Sequence, residues 1–316
     1  PGAPTVSSTV EKPSGQSPAA DTAGGDATKD LKQHVLRNLS ELPPMPQIVF
    51  KALEIIDDSD SDTKQVAELI ETDQAIAAKV LKMANSAYYG MSGKVSSIQH
   101  ASVVLGYKAL GELITLAATS SLLGNRLHGY DMDSGALWEH SLAVGFGSRF
   151  IARHKNPGLE NNAFSAGLIH DVGKLILDRP VLNRKKRFDE YLEGGERTFF
   201  DAEQKILGFD HAEIGYDICQ HWKIPEILGN AIRHHHDPWQ AGQDELTAIV
   251  FMADTIAHMA ESMQLAGVIE SGLKAVMYMT DDATMTYLGL EEDTVAEIMS
   301  NTLEAVQQII SETLPN

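Results

Sequence analysis

The chain has 316 residues, 43% of them hydrophobic, enough for one large core or two smaller ones, and no run looks apolar for long enough to span a bilayer. With 25 basic against 44 acidic side chains the net charge is −19, which disfavours non-specific nucleic-acid binding and anionic membrane surfaces. A single cysteine, Cys219, excludes an internal disulfide, and the start carries no apolar leader, so a reducing, cytoplasmic setting is expected.

Residues 1–30 contain no Leu, Ile, Met or aromatic side chain and cannot repay the entropy of ordering, so they read as a disordered linker. The chain opens on Pro1 and its first methionine is Met45, so the linker is expected to lead from an upstream domain. From Leu31 onward apolar residues recur at three- and four-residue steps without strict alternation, which predicts an all-α protein. Pro46 opens "PQIVFKALEII", Asp62 with Gln65 resembles a capping box, Asp73 caps "QAIAAKVLKMANS", and Ser97 caps the helix carrying Ile98, Ala101 and Leu105. A first helical lobe over 31–127 follows, ended by the turn-rich "NRLHGYDMDSG" at 125–135, and residues 128–316 form a second lobe with carboxy-terminal helices. In "NSAYYG", Asn85, Tyr88 and Tyr89 either line a groove between lobes or cap and pack a helix end.

In the second lobe, Trp138, Leu142, Phe146 and Phe150 step by four along one face, with His140 off that stripe. The stretch "AGLIHDVGKLIL" at 166–177 then places His170, Asp171 and Lys174 within an apolar helix, roughly on one side. Buried and unpaired, such groups would be costly, about 2–7 kcal/mol for a polar group alone. Imidazole nitrogen and carboxylate oxygen suit a divalent transition metal, and an adjacent His–Asp pair offers one terminal and one bridging ligand. A pair alone cannot hold an ion, so His140, His211, His235 and Asp254 would have to converge from neighbouring helices for a mono- or dinuclear centre. The bland alternatives are a hydrogen-bonded His–Asp pair, a His211 that merely follows a capping Asp210, and histidines at 234–236 that favour a helix C-terminus. The "RKKR" run at 184–187 reads as a solvated loop. His100, His154, His221 and His258 carry no pattern, and the methionines gathered from Met252 onward read as core filling rather than a docking face.

The order His140, His170–Asp171, Asp254 resembles the HD superfamily of helical metal-dependent phosphohydrolases. The stretches "LPPMPQIVFKALEIIDD", "ELIETDQAIAAKVLKMANSAYYG", "SSIQHASVVLGYKAL", "LWEHSLAVG", "AGLIHDVGKLIL", "FDHAEIGYDICQHWKIPE" and "AIRHHHDP" resemble more specifically its HDOD subfamily, over roughly residues 40–255. That resemblance implies a two-lobed helical bundle with an HD-like carboxy-terminal lobe, acting as an output module in bacterial signalling. Its partners would be pathway proteins and an upstream sensory or receiver domain, with no nucleic acid and no membrane. Similarity to the dinuclear HD proteins implies His140, His170, Asp171, His211, His235 and Asp254 as metal ligands, with Asp171 bridging two ions such as iron or manganese. His236 would join His235 if a third ion bound, and His234 remains an alternative. If the protein is an enzyme, Asp171 and Lys174 are the catalytic candidates for a metal-dependent phosphohydrolase or phosphodiesterase, Lys174 meeting a substrate phosphate. The sequence "DPWQAGQDEL" after the histidines lacks the Gly-Tyr-Pro element of the HD-GYP group, which argues against cyclic-dinucleotide hydrolysis.

Overall fold

The computed structural model describes residues 22–37, 39, 51–52, 55, 63–91, 93–195, 197–266 and 282–313. Within them every regular element is helical, as expected, and the one extended pairing is an isolated bridge between Leu127 and Met132. Pro46 and Asp62, expected at helix starts, lie outside the described residues.

Helix α1 (Thr22–Arg37) begins inside the segment read as linker, and residues 1–21 lie outside the described residues. Val35 is buried, and an ion pair from Lys32 to Glu213 (2.6 Å) ties α1 to the second lobe. Next come α2 (Thr63–Ile70) and α3 (Gln74–Ala84), and Asp73 caps α3 by accepting from the Ala75 and Ile76 amides. Asn85 closes α3: its side chain donates to Leu81 O and Val95 O and accepts from Val95 N. Tyr88 and Tyr89 pack there edge to face, and Tyr88 also meets Phe146 of the second lobe at 5.0 Å, so the stretch caps and packs a helix end and lies between the lobes.

Helix α4 (Ile98–Leu123), capped by Ser97, breaks at Gly106, whose φ of 82° favours glycine. Contrary to the expectation from sequence, α4 is long and apolar enough to cross a membrane by length and composition. Half of its most apolar window is buried inside the protein, Leu110, Leu113, Ile114 and Leu116 completely.

Helix α5 (Ala136–Lys155) is buried on nearly every side and forms the axis of the second lobe. Helix α6 (Glu160–Ile169) lies so close that a Cβ on Gly167 would meet Val144 O at 2.6 Å. The remaining helices are α7 (Lys174–Leu182), α8 (Lys185–Leu192), α9 (Phe199–Ile206), α10 (His211–Trp222), α11 (Glu226–Arg233), α12 (Glu245–Ala266), α13 (Asp282–Leu288) and α14 (Glu292–Thr313). Helices α6, α12 and α14 pack on α5, and α14 also reaches α3, so the last helix touches both lobes.

A buried cluster joins the lobes as well. Arg149 of α5 pairs with Glu112 of α4 at 2.9 Å, donates to Tyr88 and stacks over Phe164, while Tyr89 donates to Glu112. The basic run at 184–187, expected as a loop, instead opens helix α8; Lys186 and Arg187 are exposed, and Lys185 is paired with Asp131 and Asp189. Met252, Met259, Met285 and Met299 are buried as core filling; Met277 and Met279 lie outside the described residues.

Candidate metal centre

The sequence read His170 to Lys174 as one turn of a continuous helix, and the structure breaks it. Helix α6 stops at Ile169 and α7 starts at Lys174. Between them the backbone tightens to three-residue hydrogen bonds, Val172 N to Ile169 O and Lys174 N to Asp171 O. The break lets the start of α10 press against the turn. A Cβ on Gly173 would lie 2.0 Å from the His211 carbonyl oxygen, so only glycine permits this approach. Asp210 caps α10 by accepting from Glu213 N, which fixes His211 as the first helical residue. His235 and His236 occupy the turn after α11, and His140 and Asp254 project from the long helices α5 and α12.

All the ligand candidates meet. His140 Nε2 stands 3.0 Å from Asp254 Oδ1, His170 Nε2 3.4 Å from Asp171 Oδ2, and His211 Nε2 3.1 Å from Asp171 Oδ1. His170 Nε2 is also 3.6 Å from Asp254 Oδ1, and Lys174 Nζ donates to Asp171 Oδ2 at 2.6 Å. The Nε2 atoms of His236 and His211 are 2.8 Å apart, and the rings of His235 and His236 are 4.0 Å apart. His234 turns away and lines a surface cavity of about 500 Å³ with Ile227, Asn230 and Asp244. His140, His170, Asp171, His211 and His235 are each at most 3% exposed.

The decisive feature is which nitrogens are committed. His170 Nδ1 faces Gly167 O at 2.7 Å, and His235 Nδ1 faces Ile232 O at 2.6 Å. His140 Nδ1 faces Glu261 at 2.9 Å, and His211 Nδ1 faces Glu203 at 2.7 Å. Each of these four rings therefore spends Nδ1 outward and turns Nε2 inward. There the Nε2 atoms of His140, His170 and His235, with Oδ1 of Asp171 and of Asp254, are buried without a hydrogen-bond partner, their short approaches being misaligned for one. Buried acceptors left unpaired cost about 1–3 kcal/mol each. Cations held within the donor groups that these atoms form would satisfy them. Candidate donor groups are His140, His170 and Asp254; His170, Asp171 and His235; His211, His235 and His236; and a fourth, His140, His258 and Glu261, of which only His140 is buried. An N/O donor set of this kind suits a divalent transition metal, so the residues fit the ion.

Without an ion, protons take its place. Burial pulls the His140 imidazole down, but Asp254 and Glu261 more than offset it and raise its pKa to about 10. His211 is raised to about 9, burial being outweighed by Glu203 and Asp171. Burial lowers His235 to about 3, aided by His170 and His211. Asp171 lies well below the usual carboxylate range although burial opposes this, because Lys174, His170 and His211 face it.

The sequence missed four residues around the centre. Glu203 is fully buried, with Oε2 accepting from both Nδ1 and the backbone N–H of His211 and Oε1 accepting from Tyr130. Glu261 backs His140. His258, assigned no role from sequence, stacks on His140 at 4.5 Å and approaches Asp254 and Glu261 at 3.5 Å each. Asp254, His258 and Glu261 stand four and three apart along α12, a one-face spacing that the sequence offered. Glu203 and Tyr130 left no such signal.

A profile of the HDOD domain family matches residues 42–238. A Treponema pallidum protein described as uncharacterised is 25% identical over 215 residues, and the match spans 66% of this chain but 40% of that protein. The crystal structure of an HDOD domain protein of unknown function from Geobacter sulfurreducens is 26% identical with a TM-score of 0.70, covering 92% of this chain and 100% of that one. A Shewanella amazonensis protein named for an inferred phosphohydrolase activity shares the fold at 22% identity and a TM-score of 0.68, covering 89% and 98% of the two chains.

Proposed function

The chain belongs to the HDOD domain family, and from that we propose a bacterial, cytoplasmic signalling output module whose HD-like lobe is locked by a divalent transition metal. The observation that carries the metal is the set of five buried, unpartnered ligand atoms, three imidazole and two carboxylate. His140, His170, Asp171, His211, His235, His236 and Asp254 would hold the ion or ion pair, with Asp171 placed between donor groups. These residues come from α5, the turn after α6, α10, the turn after α11, and α12, so one ion would cross-link elements spread along the lobe. A ligand that binds only the folded state stabilises it by mass action.

A locking role fits the electrostatics better than turnover does. Lys174, the cation nearest the centre, is already committed to Asp171. The exposed rim carries Glu261, and the carboxyl of nearby Glu139 is raised by burial first and then by the Glu261 charge, a setting that repels phosphate. The input would come from an upstream sensory or receiver domain through α1, because Lys32 of α1 grips Glu213 of α10, the helix that begins with His211.

The second reading is a metal-dependent phosphohydrolase, favoured by the joined donor set and by Lys174 beside Asp171. In that case the metal supplies a lowered pKa for bound water and a Lewis acid for the phosphoryl oxygen. Metal analysis with a phosphodiesterase and nucleotidase panel separates the readings. Stoichiometric metal without turnover supports the module, turnover lost in Asp171→Ala supports the enzyme, and a chain that takes up no metal defeats both.

A further inference from the structure

Four histidines of the centre present Nδ1 to an acceptor, and the acceptors are of two kinds. His170 and His235 lean on the neutral carbonyls of Gly167 and Ile232, whereas His140 and His211 lean on the carboxylates of Glu261 and Glu203. The carboxylate-backed pair is divided between donor groups: His140 stands with His170 and Asp254, and His211 with His235 and His236. We propose that Glu261 and Glu203 are positioning residues, one for each half of the centre. Each holds its histidine with the proton on Nδ1 and the Nε2 lone pair turned toward a divalent cation. The inference rests on the metal reading above.

A carboxylate behind an imidazole fixes its tautomer and ring orientation and raises its basicity, and losing such a partner typically costs about 10–100-fold in metal affinity. The two clamps differ in stiffness. Glu203 is fully buried and held at both ends, Oε1 by Tyr130 at 2.6 Å and Oε2 by the His211 amide at 2.7 Å, so it fixes the backbone and the ring of one ligand together. Tyr130 comes from the turn between the lobes, which gives that turn a direct line to His211. The Glu261 side chain is 44% exposed, and among the described residues it is held by His140 and a longer approach to His258. The His211 half should therefore depend on its clamp more steeply than the His140 half.

The test is zinc titration of the whole chain as wild type, Glu203→Gln, Glu261→Gln and Tyr130→Phe, with imidazole ¹⁵N–¹H spectra of the metal-free and zinc-loaded forms. Wild type should bind in two phases, with His140 and His211 protonated on Nδ1 and shifted at Nε2 by zinc. Glu203→Gln should weaken one phase by about 10–100-fold and Glu261→Gln the other by about tenfold, while Tyr130→Phe weakens the Glu203 phase by less. Tyr130→Phe removes neither charge nor ligand and keeps the test open if Glu203→Gln does not fold. Variants that bind both equivalents as tightly as a zinc-binding wild type, or that weaken the same phase, overturn the inference and leave the metal reading standing. A wild type that takes up no zinc overturns the metal reading, and this inference with it.

Discussion

Gly173→Ala sets two physical effects against each other with opposite signs. Gly173 has helical angles, φ −61° and ψ −28°, where alanine is favoured over glycine by about 0.8–1.0 kcal/mol. Propensity alone therefore predicts a more stable protein. Packing predicts the reverse, because the new Cβ would sit 2.0 Å from His211 O, 2.8 Å from His211 C and 2.9 Å from Gly215 N. All three are backbone atoms and cannot rotate away, so α10 must retreat by roughly 1 Å to restore even a short contact. Because a 2.0 Å approach to fixed backbone lies at the severe end of overpacking, the cost is about 3 kcal/mol, or about 2 kcal/mol net of the propensity gain. The same shift exceeds by several-fold the tolerance of about 0.2 Å in metal–ligand distances, and it moves His211. Thermal unfolding followed by circular dichroism in chelator should show Tm lowered by about 4 °C or more, at about 2–4 °C per kcal/mol for chains somewhat shorter than this one. The gain in Tm on adding zinc should shrink as well. A variant as stable as wild type, or more so, would refute the close approach of α10 to the turn.

Other consequences are as direct. In the metal-free protein His140 and His211 titrate near 10 and 9, above the usual 6.5, so their stabilising contribution is complete below pH 6.5 and fades as pH rises through 9 to 10. Zinc needs those same nitrogens deprotonated, so the Tm difference between zinc-loaded and chelated protein should widen from pH 6 to pH 9; a constant difference would contradict it. Arg149→Met leaves the half-buried Glu112 without its cation, Tyr89 still donating to it, and should cost about 3 kcal/mol in urea unfolding, whereas a change below about 1 kcal/mol would show that the pair is idle. Cys219 is buried and its thiol is pushed up to about 12, so a thiol reagent should leave it untouched in native buffer and label it in denaturant.

The all-helical fold was open to reading because three- and four-residue apolar steps persist along the chain, and Asp73 and Ser97 mark helix starts through local hydrogen bonds. The ligand candidates were recognised by order, His140 before His170–Asp171 before Asp254, a pattern that survives without knowledge of distances. The break at 170–173 was not legible, because the apolar periodicity runs through it and the packing of α10 on Gly173 that goes with it is a tertiary contact. Glu203 was hidden for a related reason. Its burial is tolerated only because Tyr130 and His211 meet it from distant segments, and no local spacing encodes that meeting. Helix α1 was under-read because composition describes what a segment can do alone, while Lys32 pairs with Glu213 of the second lobe.

Metal content measured on the purified chain, beside Asp171→Ala, together with melting in metal and in chelator, addresses the central claim most directly. One or more equivalents of a divalent transition ion per wild-type chain, a higher Tm with the ion than with chelator, and both effects lost in Asp171→Ala are predicted. A wild-type chain that stays free of iron, manganese and zinc after reconstitution, or that melts identically with and without them, would contradict it.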